Sequence, residues 1–293
     1  PAAIADGACG RVVGGAGVDA FIEQKGARLM NGTSTGMTLA DLQFAVGGKM
    51  LLQPLTLDIG RQGLTGIIGQ NGSGKSTLLR LLARQQPPSG GTIHYDGRDV
   101  VAWPDRAFAR AVGYLPQHVP ITTRLTVREL VAFGRYPWHG AFRRFSEADS
   151  VKVDEALDLT AMTGLAERFL ETLSGGERQR AWLAMLVAQE ARLLLLDEPI
   201  AALDVGHQIE VLSLLRQLSE THRAASVVVI HEINMAARFC DRIIALRQGH
   251  LVADAAPEEL LIPDRLDAIY GIPMGVAPLP EGRGRFAFPM ADR

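Results

Sequence analysis

The run Gly69-Gln70-Asn71-Gly72-Ser73-Gly74-Lys75-Ser76, continued by Thr77, fits the pattern G-x-x-x-x-G-K-[ST]. Glycines at these positions let backbone N–H groups turn inward around an anion, and a helix opening directly after them aims its positive end at the same point. Such a loop is shaped for phosphate. Lys75 reaches the outer phosphates, and the Ser76 hydroxyl is a ligand for Mg²⁺. A second cluster stands at Asp197 and Glu198, directly behind Leu193-Leu194-Leu195-Leu196. An apolar strand there delivers two carboxylates to its C-terminal end, the edge where open α/β sheets bind ligands. Asp197 can hold Mg²⁺ through water, and Glu198 can polarise a water for attack on a terminal phosphate. Apolar strands often end in acids, so this pair gains meaning only beside the phosphate loop.

A third piece, Leu173-Ser174-Gly175-Gly176-Glu177-Arg178-Gln179-Arg180, opens a helix whose apolar positions follow at Ala181, Trp182, Ala184 and Met185. Ser174 to Glu177 is a capping-box pattern, which in isolation means a well-capped helix. Gly175 and Gly176 add exposed N–H groups at a helix N-terminus, a second anion site. One phosphate loop already holds the nucleotide of its own subunit. A second site for a terminal phosphate, far along the same chain, points to a partner's nucleotide and to a head-to-tail dimer sandwiching two ATP molecules.

The elements that must position these groups can be read around them. Leu39, Leu42 and Phe44, then Leu51, Leu55, Leu57 and Ile59, read as antiparallel strands broken by Gly47-Gly48 and Gly60. Leu64 to Ile68 is a strand ending in Gly69, with a helix from Ser76 to Arg84, so the phosphate loop has its strand–loop–helix context. Helical spacing in Val127, Leu130, Val131 and in Val151, Val153, Ala156, Leu157 marks a mostly helical part inserted at about 105–170. Leu193 to Leu196 and Val227 to Ile230 are uninterrupted apolar runs, as strands buried on both faces of a parallel sheet require. A helix spans Gln208 to Leu218, and Ile243 to Leu246 with His250 to Ala253 reads as a closing hairpin around Gln248-Gly249. Residues 1–37 form a Gly- and Ala-rich extension without sustained periodicity, expected to be disordered, and lack the apolar core and cleavage site of a signal peptide. The ATPase domain is expected over 38–256. The tail, 257–293, reads as a short helix followed by Pro- and Gly-rich sequence.

Composition excludes several classes. The 293 residues are 47% hydrophobic and 21% charged, an ordinary globular balance that rules out wholesale disorder. A formal charge of -2 gives no global footprint for nucleic acid. Cys9 and Cys240 cannot make a disulfide framework. No apolar run approaches the roughly 20 residues of a membrane helix, so any membrane role is peripheral.

On these motifs the sequence resembles the ATP-binding-cassette (ABC) ATPases over about Leu39 to Gly271, with Leu173-Ser174-Gly175-Gly176-Glu177 as its LSGGQ-type signature. The resemblance implies an α/β P-loop ATPase core with an antiparallel β subdomain and an inserted α-helical subdomain. It implies ATP and Mg²⁺ as cofactors, with Ser76, Gln117 and Asp197 at the metal. Gln117, in Tyr114-Leu115-Pro116-Gln117, matches the glutamine that contacts Mg²⁺ and links the nucleotide to the membrane partner. Ala201-Ala202-Leu203-Asp204 matches the loop that crosses the dimer interface, and His231 matches the switch histidine at the terminal phosphate. Glu198 and His231 are thus the catalytic pair, and Ser174, Gly175, Gly176 and Asp204 serve the nucleotide across the dimer. Two positions depart from the family. Where an aromatic residue usually stacks on adenine the count reaches Val46, with Phe44 one strand period earlier on the same face. Gln70 stands where proline is common, a change expected to matter little because backbone groups bind the phosphates.

The chain lacks the coiled coils or zinc cysteines of DNA-repair forms, the second cassette of translation factors, and the fused membrane helices of exporters. A separate cassette with a membrane permease remains, the bacterial importer arrangement. The segments Thr126 to Gly140, Leu183 to Gln189 and Ile269 to Gly275 look like the ATP-binding subunit of ferric-hydroxamate siderophore importers. That likeness implies a homodimer on the cytoplasmic face of the inner membrane, an integral-membrane permease and, indirectly, a periplasmic siderophore-binding protein. An importer for another iron chelate, haem or cobalamin is the related alternative; a non-transporting ATP-gated clamp is the more distant one. Phe133, Tyr136, Pro137 and Trp138 form an aromatic cluster that reads either as a permease-docking patch or as core, and Arg143-Arg144 as a solvated pair.

Overall fold

A computed structural model describes residues 36–119, 124–140, 144–201, 203–221, 224–280 and 284–290. Gly47 and Gly48, both at positive φ, turn the chain between two long antiparallel strands, β1 (Gly36–Val46) and β2 (Lys49–Gly60). The other edge of β1 pairs with β4 (Gly90–Tyr95), which carries the short β5 (Arg98–Asp99). β1 begins at Gly36, so Met37, assigned above to the N-terminal extension, is a fully buried core residue. The rest of that extension lies outside the described residues.

The second sheet has the order β10-β9-β3-β8-β7-β6. β3 (Leu64–Ile68), β6 (Val112–Leu115), β7 (Leu193–Leu196), β8 (Ala225–Val229) and β9 (Arg242–Arg247) run parallel; β10 (His250–Ala255) closes one edge antiparallel. Alternate side chains of each strand serve opposite faces. Ile67, Leu193, Leu195, Val227 and Val229 pack with Leu78 and Leu79 of α1 (Lys75–Leu82) and with Leu39, Leu52 and Leu57 of the antiparallel sheet. Ile68, Leu194, Leu196 and Val228 pack with Leu183 and Leu186 of a long helix, with Leu212 and Leu215 of another, and with Ala236. Each fully buried Leu or Val contributes about 1.5–3 kcal/mol against leaving it in water, which is why the strands read as unbroken apolar runs.

β6 corrects one boundary. The helical insertion expected from about residue 105 begins later, because α2 (Asp105–Ala111) leads straight into β6, where Val112 and Leu115 are buried beside β7. Beyond it lie α3 (Val127–Phe133), α4 (Tyr136–His139) and α5 (Glu147–Leu159). Capping boxes at Thr126/Glu129 and Ser146/Asp149 start α3 and α5. They pack on α6 (Gly175–Gln189) through Val127, Leu130, Val131, Val153 and Leu157 against Ala181, Ala184 and Ala188. α6 thus turns its leucines to the sheet and its alanines to the helical part, and so carries Ser174 at a fixed place between them.

α7 (Val205–Thr221) and α8 (Ile233–Phe239) complete the core. The tail differs from expectation. Residues 257–293 contain two helices, α9 (Pro257–Leu260) and α10 (Pro263–Tyr270), then a β-hairpin of β11 (Met274–Pro278) and β12 (Arg285–Pro289). Met274 and Ala287 are buried in the same cluster as Ala236, so the hairpin belongs to the core layer. Among the described residues no helix is long and apolar enough to cross a membrane.

Candidate nucleotide site

Strand register brings the chemical groups to one edge. Leu115 lies opposite Leu196, Leu196 opposite Val228, and Ile67 opposite Val229. The residues just beyond these ends, Gln117, Asp197 and Glu198, His231 and Gly69, therefore emerge side by side at the C-terminal edge of the parallel strands, where such sheets bind ligands.

The phosphate loop is built for backbone approach. Gly69 has φ 143°, and a Cβ there would lie 2.0 Å from the carbonyl oxygen of Leu246. Gly72 and Gly74 are also left-handed, at φ 76° and 103°. Gly74 caps α1 without a side-chain bond, and the first turn holds no acid, so α1 offers its leading N–H groups and positive dipole end to an anion. Lys75 is buried, and its Nζ donates to the carbonyl oxygens of Gly69 and Gln70, each at 2.9 Å. Burial pulls the ammonium below its usual range against the opposing charges of Glu198 and Asp197. A phosphate arriving here compensates that desolvation. Ser73 is held from behind, its carbonyl oxygen accepting from the N–H of Gly249 at 3.1 Å. The Gln70 amide nitrogen donates to the carbonyl oxygen of Tyr270 at the end of α10. Replacing proline by glutamine thus adds a tether to the C-terminal segment, outside what phosphate binding alone would register. Asn71 is exposed, and Ser76 and Thr77 occupy the first turn of α1.

The donors for a hard cation meet between α1 and β7. The Ser76 hydroxyl donates to Asp197 Oδ1 at 2.8 Å. Asp197 is fully buried, and its Oδ2 has no hydrogen-bond partner among the described residues. Burial raises this carboxyl above the ordinary range; the Ser76 bond works against the rise and the charge of Glu198 adds to it. A buried, orphaned carboxylate oxygen beside a hydroxyl fits Mg²⁺, which takes oxygen ligands and offsets the charge. Bound there with the nucleotide, the cation would neutralise charge on the phosphate oxygens. Gln117 is not on this pair. Its amide nitrogen donates instead to Glu198 Oε2 at 2.6 Å.

Glu198 is gripped from two sides, since His231 Nε2 lies 2.7 Å from its Oε1. Its backbone sits at φ 52°, in the left-handed region, a strained position for a residue other than glycine. The structure thus brings Gln117, Glu198 and His231 into one hydrogen-bonded chain, with Ser76 and Asp197 as a separate pair beside it. A carboxylate in that place can take a proton from water, and the imidazole can orient it or contact the phosphate.

At the expected second anion site the structure has an exposed, capped helix start. Ser174 and Gly175 are exposed, and Ser174 caps α6. The Ser174 N–H donates to Glu177 Oε2 at 2.8 Å, and these bonds from Ser174 hold the Glu177 carboxyl below the usual range. Asp204 Oδ1 accepts from the His207 N–H at 3.0 Å, and its Oδ2 lies 2.7 Å from His207 Nδ1. These bonds lower the Asp204 carboxyl below its ordinary value. A Cβ added at Gly176 would lie 3.0 Å from His207 Cδ2, so His207 packs between the Asp204 loop and Gly176 of the signature. Nothing in the local sequence marked this histidine. Ala202 lies outside the described residues.

Phe44 and Val46 share a strand but not an environment: the Phe44 ring rests on the core, whereas Val46 is 56% exposed at the hairpin end. The aromatic cluster also divides. Trp138 donates its indole N–H to the Gln189 carbonyl at 2.8 Å and lies between the guanidinium groups of Arg110 and Arg135, 4.8 and 5.0 Å from its ring. Pro137 is buried, while Phe133 and Tyr136 are 57% and 50% exposed. Arg144 is exposed, and Arg143 lies outside the described residues.

Known proteins resemble this chain in sequence and in fold. A family model described as ABC transporter matches residues 52–201. The ferric enterobactin transport ATP-binding protein FepC of Escherichia coli is 41% identical over 79% of this chain and 85% of its own. The iron(3+)-hydroxamate import ATP-binding protein FhuC of Bacillus subtilis is 37% identical over 83% of this chain and 89% of its own. Among solved structures, the dimeric bacterial ABC transporter cassette MJ0796 superposes with a TM-score of 0.67 at 27% identity, covering 75% of this chain and 98% of that one.

Proposed function

Because the chain belongs to the ABC transporter family, we propose that it is the ATP-hydrolysing subunit of an importer for iron–siderophore complexes. It works as a homodimer bound to a separate integral-membrane permease on the cytoplasmic face of a bacterial inner membrane. The observation that carries this reading is the Gln117–Glu198–His231 chain beside the Ser76–Asp197 pair. A clamp that only binds ATP could dispense with a base and its histidine partner.

The mechanism is one of positioning and electrostatics. The loop from Gly69 to Ser76 and the α1 N-terminus hold the phosphates, and Lys75 supplies positive charge. The exposed Ser174 and Gly175, with the half-buried Gly176, of one subunit complete the partner's site. Glu198 takes the proton of the attacking water while His231 fixes the carboxylate and the terminal phosphate. Gln117 leads from Glu198 toward the helical part, where the exposed Phe133 and Tyr136 suit a permease contact.

The cargo is a ferric hydroxamate, a choice supported by the segments Thr126 to Gly140 and Ile269 to Gly275. Identity to an enterobactin relative and to a hydroxamate relative differs little, 41% against 37%, so uptake must separate the classes. In cells lacking this chain, uptake of radiolabelled iron is measured from hydroxamate, catecholate, citrate and haem sources. Loss of hydroxamate uptake, restored by wild type and not by Glu198→Gln, is the expected result. Loss confined to the catecholate keeps the importer and discards the hydroxamate. Normal uptake of every chelate, with redundant importers removed, overturns the transport reading.

A further inference from the structure

The C-terminal hairpin is fastened to the switch segment by one side chain. Asn234 stands in the first turn of α8, three residues after His231. Its Oδ1 accepts from the N–H of Ala287 at 2.8 Å, and its Nδ2 donates to the carbonyl oxygen of the same residue at 3.1 Å. The amide therefore meets the outer edge of β12 as another strand would, using both backbone groups of one residue. The same Nδ2 donates to Glu232 Oε1 at 2.8 Å, and Glu232 in turn caps α8 by accepting from the N–H groups of Asn234 and Met235 at 3.0 and 2.9 Å. Glu232 is adjacent to His231, which touches Glu198. The anchor is firm: Ala287 and Met274 are buried in the core, and β12 pairs with β11 along its length. His231 itself is exposed, and its Nε2 lies against Glu198. β8 brings His231 to the sheet edge, with the Ile230 N–H donating to the Ile67 carbonyl oxygen at 3.0 Å, and the turn that follows it, closed by Glu232 and Asn234 against the hairpin, constrains it from the other side.

We infer that Asn234 is a positioning residue for hydrolysis, which places His231 against Glu198 by tying the switch turn to the C-terminal hairpin. This inference rests on the hydrolytic reading above. Asn234 touches neither phosphate nor the attacking water, so its removal should slow turnover and leave nucleotide binding by the phosphate loop intact. Small misplacements of a reacting group cost up to about a hundredfold, and loss of this tether is expected to lower kcat about tenfold.

The test uses the full chain, with steady-state phosphate release, equilibrium ATP titration and thermal melting on wild type, Asn234→Ala, Asn234→Asp, His231→Ala and the double variant His231→Ala/Asn234→Ala. The aspartate is isosteric and keeps the acceptor for the Ala287 N–H, but it loses the donor to the Ala287 carbonyl and sets a second carboxylate against Glu232; the alanine removes the tether without that repulsion, and thermal melting reports the folding of each variant. Asn234→Ala is expected to lower kcat about tenfold with ATP affinity unchanged, and Asn234→Asp, which also sets like charge against Glu232, to lower it by at least as much. Because Asn234 acts through His231, the double variant should be no slower than His231→Ala alone. A normal kcat in both Asn234 variants overturns the inference. So does a defect that adds in full to that of His231→Ala, or a loss of ATP affinity in proportion to kcat. If His231→Ala itself turns over at the wild-type rate, the hydrolytic reading has failed, and that result is distinct from failure of the tether.

Discussion

Replacing Glu198 by glutamine isolates the chemical step. The carboxylate has two partners, Gln117 Nε2 at 2.6 Å and His231 Nε2 at 2.7 Å, and neither belongs to the phosphate loop. A glutamine of the same shape keeps both contacts: its carbonyl oxygen accepts from Gln117, and its amide donates to His231 when the ring carries its proton on Nδ1. The site therefore stays assembled while the proton acceptor is lost. A positioned base contributes about 10²–10⁴ in rate, or about 3–5 kcal/mol of barrier. Removing a negative charge near Lys75 and the phosphates also relieves repulsion, so ATP affinity should hold or tighten. The assay is phosphate release with saturating Mg²⁺ and ATP, read beside calorimetric titration of ATP and size-exclusion chromatography with and without nucleotide. Turnover should fall by at least about a hundredfold while binding persists and the ATP-bound dimer accumulates. A drop smaller than about tenfold would refute Glu198 as the base, whatever the binding data show.

Two further outcomes follow from the loop and the cation pair. Gly69→Ala forces a Cβ against the Leu246 carbonyl at φ 143°, so ATP affinity should fall at least about tenfold, or about 1.4 kcal/mol, within the roughly 1–3 kcal/mol that such backbone strain costs, with secondary structure by circular dichroism preserved; unchanged affinity would show that the loop relaxes freely. Asp197→Asn should abolish Mg²⁺-dependent turnover yet raise the melting temperature of the nucleotide-free protein. Burial lifts the Asp197 carboxyl above its unfolded value, so its contribution to stability is full at low pH and is lost as pH rises through the folded value. The stability advantage of the asparagine variant should accordingly grow with pH, and a difference independent of pH would count against a buried, strained carboxylate.

Much of the architecture was legible because it is encoded locally. Leu193 to Leu196 and Val227 to Ile230 announced buried strands, the glycines around Lys75 announced a backbone cradle, and Ser174 with Glu177 announced a helix start that the structure reproduces as a capping box. β6 was hidden because four residues between a helix and a proline carry too little periodicity to separate from their surroundings. The C-terminal hairpin was hidden because Pro- and Gly-rich sequence signals a turn, whereas burial of Met274 and Ala287 depends on the face that α8 leaves for them.

The sequence by itself determined the residue types, their spacing and the strand ends on which they sit, since dihedral preference and apolar periodicity act over neighbours along the chain. Only the tertiary structure decided that Gln117 and His231 both close on Glu198, that Asp197 keeps a buried oxygen without a partner among the described residues, that His207 packs between Asp204 and Gly176, and that Asn234 ties the switch to β12. These contacts join residues far apart in sequence, and they follow from sheet register and packing summed over the whole core, which no local window contains.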